Sequence, residues 1–407
     1  ALLYLGCYGT HIARVGRTDG KMTVLRAEWI ACEQTQAVCR ALTDAGAKAL
    51  FVGGCVRDAL LGVNVSDIDI ATDAIPEDTV KLAVAAGLKA IPTGIDHGTI
   101  TVLSGGRPYE ITTFRKDIET DGRKATVRFS KDLKDDACRR DFTMNALYAT
   151  PQGKVVDPLG GMDDLRARRV RFIEDPAQRI EEDYLRILRF FRFSAWYADP
   201  ENGFDPDALA AIAGHLDGLD RLSKERIGKE MLKLLSAPDP APAIATMNQM
   251  GILGRILSGA QDRALAPLIH IEHCARQQPD ALRRLAALSA ATPADDLRLS
   301  KSDARAIMLL RESAASTASA TELGYRLGEQ QAIDAILLRN ALFETEFDES
   351  TILSAKVGSQ QVFPVKAADL MPEYTGKALG KKLKTLQSAW IRSGFTLTRD
   401  ALLSGSY

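Results

Sequence analysis

Residues 51–73, FVGGCVRDALLGVNVSDIDIATD, constrain this chain more than any other stretch. The apolar run KALFV ends in Gly53-Gly54, as a buried strand does when it closes in a tight turn. CVRDALLG then has the length and composition of a short helix, with Gly62 past its end. SDIDIAT alternates strictly, which predicts a half-buried strand. Ile68 and Ile70 point to one face, Asp67 and Asp69 to the other. The apolar face accounts for the strand; the acidic face calls for a cation.

Backbone N–H groups following a Gly-Gly turn at a helix start can cradle a phosphate. Two hard carboxylates beside such a cradle suit Mg²⁺, which takes one or two carboxylates together with substrate phosphates. The combination GG-x-V-R-D followed by D-x-D on a strand resembles the nucleotidyltransferase superfamily that includes DNA polymerase beta. Within it, the likeness is to the class II (bacterial-type) tRNA CCA-adding enzymes and the bacterial poly(A) polymerases. The resemblance covers roughly residues 47–235, and the C-terminal stretch more weakly.

Further residues extend the constellation. Glu110, on the strand YEITTF, faces away from Tyr109 and Ile111, and a hairpin turning at Gly105-Gly106 would lay it beside the Asp pair. With Asp67 and Asp69 as metal ligands it completes a three-carboxylate catalytic set for two-metal phosphoryl transfer. Arg57 and the pair Arg139-Arg140 supply the positive side, since the planar guanidinium forks onto phosphate. RRDFTMNAL matches a family motif, and its FTMNAL portion is expected to be an apolar helix pinning the arginines inward. Asp157 and Gly160-Gly161 of VVDPLGGMDDL are expected to close the head structurally. The charged segment 114–133 resembles a flexible loop used by CCA-adding relatives when switching from C to A.

EEDYLRILRFFRF (181–193) is predicted as one helix, with Asp183 and Arg186 on adjacent turns among apolar neighbours. Cytosine and adenine both present an amino donor beside a ring-nitrogen acceptor, whereas uracil and guanine present the reverse. One Asp–Arg pair therefore accepts CTP and ATP and rejects UTP and GTP without a template, a role the resemblance also implies. Arg189 and Arg192 repeat the spacing and would reach the base, the phosphates or neighbouring acids. With Gly53 and Gly54 these residues make up the expected nucleotide site.

The C-terminal stretch carries Lys377, Lys381, Lys382, Lys384, Arg392 and Arg399 with no acid between Tyr374 and Arg399. In a chain of net charge −1, such a run fits an RNA backbone. It resembles the tail that holds the tRNA elbow in this family.

At 407 residues the chain exceeds one core. The expected class is α+β, a small mixed-sheet head followed by an extended all-helical remainder. The expected segments are an extension over 1–21, a head over 22–170, a neck over 171–236, a body over 237–345 and a basic tail over 346–407. No repeat of fixed period is evident. The six cysteines lack metal-ligand spacing and read as reduced thiols; His270 and His273 have no Asp directly after them, so no HD-type metal site is expected. No apolar run approaches a membrane span. These features lead to a cytoplasmic, template-independent tRNA nucleotidyltransferase using CTP, ATP and Mg²⁺, with tRNA as partner and no obligate protein partner. Poly(A) addition, CC-only or A-only addition, and a non-catalytic RNA-binding relative are the alternatives.

Overall fold

The computed structural model describes residues 14–18, 22–121 and 124–405. Residues 1–13 of the N-terminal extension, and 122–123 within the charged segment, lie outside these. The chain divides into two compact units at Ser223/Lys224.

In the first unit, β1 (Arg14–Thr18) pairs antiparallel with β2 (Met22–Arg26), so the start expected near Met22 falls inside a hairpin. The other strands are β3 (Leu50–Val52), β4 (Asp69–Thr72), β5 (Lys89–Gly94), β6 (Thr99–Ser104), β7 (Arg107–Thr113), β8 (Arg115–Asp121), β9 (Lys124–Phe129), β10 (Tyr148–Ala149) and β11 (Val155–Val156). Seven of them form one mixed sheet in the order β11-β10-β3-β4-β7-β6-β5. Only the central β4–β7 pair is parallel; the β6–β7 hairpin turns at Gly105-Gly106 as expected. Ile68, Ile70, Ile100, Val102, Tyr109 and Ile111 are buried beneath the sheet at 0–2 % exposure, which realises the alternation read in SDIDIAT.

Three expectations need correction. β4 starts at Asp69, so Asp67 sits in the segment leading into the strand. The charged segment contains an antiparallel hairpin, β8–β9, where a loop was expected. FTMNAL makes only a short 3₁₀ turn, Thr143–Asn145, because Phe142 leaves in an extended conformation and pairs with Phe172.

Beyond β11 the named elements of this unit are helices. EEDYLRILRFFRF is not one helix: Pro176–Glu182 ends at Asp183, whose backbone is extended, and Leu185–Tyr197 begins afresh. The Asp183 carboxylate accepts from Leu185 N–H at 3.1 Å. Asp thus satisfies a donor at the new helix start, the local bond that makes it a poor interior residue and a good cap. Phe190, Phe191 and Phe193 of the second helix are buried against Phe142, Phe172 and Phe204.

In the second unit every element among the described residues is a helix, and the unit carries a recurring device. Arg284 donates to the carbonyls of Leu235, Ala237 and Pro238, at the end of helix Lys224–Leu235. Arg311 donates to Ala286 and Ala290, at the end of Ala281–Ala287. Arg339 donates to Ser313, Ala314 and Ala318, at the end of Lys301–Ala315. Each arginine satisfies the carbonyls a helix terminus leaves without partners. The three arginines stand 27 and 28 residues apart, so the device recurs without a fixed period.

Candidate active site

The site is built from β3, β4 and β7. β3 ends at Gly53, whose φ of +72° only glycine adopts without strain, and helix Gly54–Leu60 follows at once. A Cβ at Gly53 would stand 3.4 Å from Arg140 Nη1, an ordinary contact, so the backbone angle is what calls for glycine here. The Cys55 thiol donates back to Val52 O at 3.4 Å, and burial pushes it up to about 12, leaving it an inert tie.

β4 and β7 run parallel with Asp69 opposite Glu110, and β6 places Thr101 opposite Glu110 on its other side. Residues in register on adjacent strands share a face. Asp69 is half-buried, while Asp67 and Glu110 are exposed. The Asp69 carboxyl is pushed up to about 6, by burial first and then by repulsion from Glu110 and Asp67, with Arg140 opposing. Glu110 and Asp67 therefore each sit within electrostatic reach of Asp69. Among the described residues, no three His, Cys, Asp or Glu side chains converge tightly enough to enclose a metal by themselves. That is compatible with a hard ion completed by water and substrate oxygens.

The cationic side is organised by two carboxylates that the sequence reading missed. Asp136 is fully buried and accepts from Arg139 Nε at 2.9 Å and from Arg140 Nη2 at 2.9 Å. Burial alone would raise its pKa, but the two guanidiniums hold the carboxyl well below the usual range. Arg140 is in turn held firmly protonated: burial works against it, and Asp136 outweighs burial. Asp141 accepts from Arg189 Nε at 2.8 Å and from Asn145 Nδ2 at 2.8 Å, and Arg189 keeps it ionised despite its burial. A carboxylate three or four residues before a pair of arginines, as in D-A-C-R-R, was the legible signal for Asp136.

Arg57 is only 6 % exposed and committed on several sides. It donates to Asn145 Oδ1 at 2.5 Å, to the Tyr197 hydroxyl at 2.7 Å and to Asp58 at 2.8 Å, and it stacks 4.0 Å from the Tyr197 ring. It ties the Gly54–Leu60 helix to the Leu185–Tyr197 helix, so its visible work is bracing.

Arg186 forms an ion pair with Glu182, at 2.6 Å. Its other bonds run to the carbonyls of Arg179 (2.9 Å) and Arg139 (3.0 Å). Arg179, also paired with Glu182, donates to Cys138 O at 2.6 Å. Arg179, Arg186 and Arg189 thus all bond to the 138–141 segment. Arg192 lies over the Phe193 ring at 4.4 Å.

In the second unit, Lys377, Lys381, Lys384 and Arg392 are exposed along helix Gly376–Arg392. Lys382 is half-buried, 5.6 Å over the Tyr374 ring. Arg399 pairs with Asp369 at 2.8 Å. The opposite side of the helix, through Leu386, Ala389 and Trp390, is in the core.

Comparison with known proteins places this geometry. The poly A polymerase head domain family matches residues 49–171, and the family described as a probable RNA and SrmB-binding site of polymerase A matches 203–262. The human mitochondrial CCA tRNA nucleotidyltransferase 1 is 32 % identical over 383 residues, covering 87 % of this chain and 85 % of that protein. The Bacillus licheniformis CCA-adding enzyme is 31 % identical over 376 residues, covering 90 % and 92 %. Among solved structures, the Bacillus stearothermophilus CCA-adding enzyme in complex with CTP superposes with a TM-score of 0.68 at 26 % identity, over 89 % of this chain and 93 % of that one. A mixed-sheet head with paired acids, followed by helices, is therefore what shared descent predicts here: the chain belongs to the CCA-adding tRNA nucleotidyltransferase family and is a nucleotidyltransferase.

Proposed function

We infer that the protein adds CCA to tRNA 3′ ends from CTP and ATP, without a template and with release of pyrophosphate. The observation that carries this reading is the Asp69–Glu110 register pair beside the Gly53 turn and Arg140, in a chain of this family. Enzymes of the family use a divalent metal, and the donor set fits one: hard carboxylate oxygens that repel each other and gain from a cation between them. Mg²⁺ is the ion proposed, with Asp67 and Asp69 as its ligands and Glu110 as the third acid. When bound, it would lower the barrier by activating the 3′-hydroxyl and neutralising the triphosphate.

The chain's own groups do the rest. Gly53 and Gly54 let the backbone approach the phosphates, and Arg139 and Arg140 meet their charge. Asp183 accepts from the amino group shared by cytosine and adenine. Arg186, with three of its five N–H groups committed, offers one of the remaining two to the ring nitrogen. Arg189 and Arg192 support that helix face. The exposed lysines of helix Gly376–Arg392 hold the tRNA backbone. Among the described residues no helix is long and apolar enough to cross a membrane, and the cytoplasm is the proposed compartment.

A second reading, poly(A) addition, is favoured by the description of the head family. One assay separates the two: purified protein, a tRNA ending before CCA, and each labelled nucleotide in turn. Two CMP followed by one AMP is expected. Repeated AMP addition without CMP would move the assignment to poly(A) polymerase, and no incorporation at all to a non-catalytic relative.

A further inference from the structure

Among the described residues of the first unit, Asp136 is the most deeply buried carboxylate, at 0 % exposure, and both its oxygens are taken by neighbouring side chains. Oδ1 takes Arg139 through Nε; Oδ2 takes Arg140 through Nε (3.2 Å) and Nη2 (2.9 Å). The Tyr148 hydroxyl donates to the same Oδ2 at 2.7 Å. Tyr148 belongs to β10 and is in register with Val52, the residue before the Gly53 turn. The sheet thus fixes Tyr148, Tyr148 and Asp136 fix each other, and Asp136 fixes both guanidiniums, with Arg140 Nη1 left against the turn. An arginine side chain immobilised in advance loses less freedom when its ligand arrives.

We propose that Asp136 is a positioning residue for the nucleotide: with Tyr148 it presets Arg139 and Arg140 against the Gly53 turn, so that the triphosphate meets a preformed cationic pair. This deepens the reading of the arginine pair as phosphate ligands and rests on it. The carboxylate acts through the arginines and touches no reacting atom.

The test uses the full-length protein and inorganic pyrophosphate as the probe of the phosphate end, with CTP kinetics alongside. Asp136→Asn keeps the shape but puts an amide where one guanidinium needs an acceptor. The expected result is a rise of about tenfold to a hundredfold in the pyrophosphate inhibition constant and in KM for CTP, as for an ångström-scale misplacement. tRNA affinity should stay unchanged. In a background that carries both Arg139→Gln and Arg140→Gln, Asp136→Asn should add little further loss, because both groups it positions are gone. Additive losses, or native constants in a folded Asp136→Asn protein, overturn the positioning role. Native constants in that doubly substituted background as well would overturn the phosphate reading of the arginines and this proposal with it. Should Asp136→Asn fail to fold, Tyr148→Phe, which removes a single donor to Oδ2, must raise the same constants more modestly; no change there overturns the proposal.

Discussion

The most informative single group is Asp69, whose carboxyl is held up to about 6 by burial and by Glu110. A carboxyl with a raised folded pKa gives stability that is complete below its unfolded value, near 4, and lost as pH rises through 6. In chelator, Asp69→Asn should therefore be more stable than the native protein at pH 7–8, by on the order of 1–3 kcal/mol, with the difference gone near pH 4. Thermal melts across that range check it. Equal melting temperatures at pH 7.5 would mean the acids do not strain the fold. The same substitution, like Asp67→Ala, should abolish nucleotide addition while leaving tRNA binding intact; near-native turnover would refute the metal assignment. Asp183→Ala should lower kcat/KM for CTP and ATP by roughly ten- to a hundredfold, the cost of a buried amino group left without its acceptor. UTP should lose much less. A uniform drop across all four nucleotides would leave Asp183 as a cap for Leu185 and no more.

At the scale of elements, close approach replaces charge as the deciding term. In the second unit, helices Ala320–Leu327 and Ser350–Ser359 meet through Gly324 and Gly358. A Cβ on Gly324 would overlap the Ala355 carbonyl, and one on Gly358 the Thr321 carbonyl. Backbone cannot yield as a side-chain tip does, so Gly324→Ala and Gly358→Ala should each destabilise by about 1–3 kcal/mol or more. Urea unfolding followed by circular dichroism reads this directly. A loss under 0.5 kcal/mol, the range of an ordinary surface change, would show that the pair slides apart freely. Arg283 and Arg284 share the buried Glu272, with Arg283 also reaching Asp334 at 2.6 Å. Arg284→Met strips three carbonyls and leaves Glu272 short of a cation, so a loss of about 3–5 kcal/mol is expected in the same measurement.

Across the whole molecule, net charge says little and its placement much. The chain is nearly neutral, yet helix Gly376–Arg392 has basic residues and no acid. Replacing Lys381, Lys382 and Lys384 by Ala should weaken tRNA binding and lower the magnitude of the log–log salt slope by about 0.7–0.9 per lost contact. Lys382, set over Tyr374, is expected to contribute least. Unchanged affinity at low salt would make this helix an ordinary solvated face.

What the sequence by itself determined is what short-range pattern encodes. The alternation in SDIDIAT, the Gly53-Gly54 turn, the Gly105-Gly106 hairpin and the acidic face all follow from residues a few positions apart, where sterics and periodicity act alone. The family motifs supplied the chemistry on the same basis. Tertiary structure decided the rest, because it depends on which distant groups meet. Asp69 faces Glu110 only because β4 and β7 pair in parallel. Arg186 bonds to the Arg139 carbonyl, 47 positions earlier, only because the two segments pack together. Arg57 bridges two helices because Asn145 and Tyr197, far away in sequence, arrive around it and satisfy a guanidinium that burial would otherwise penalise.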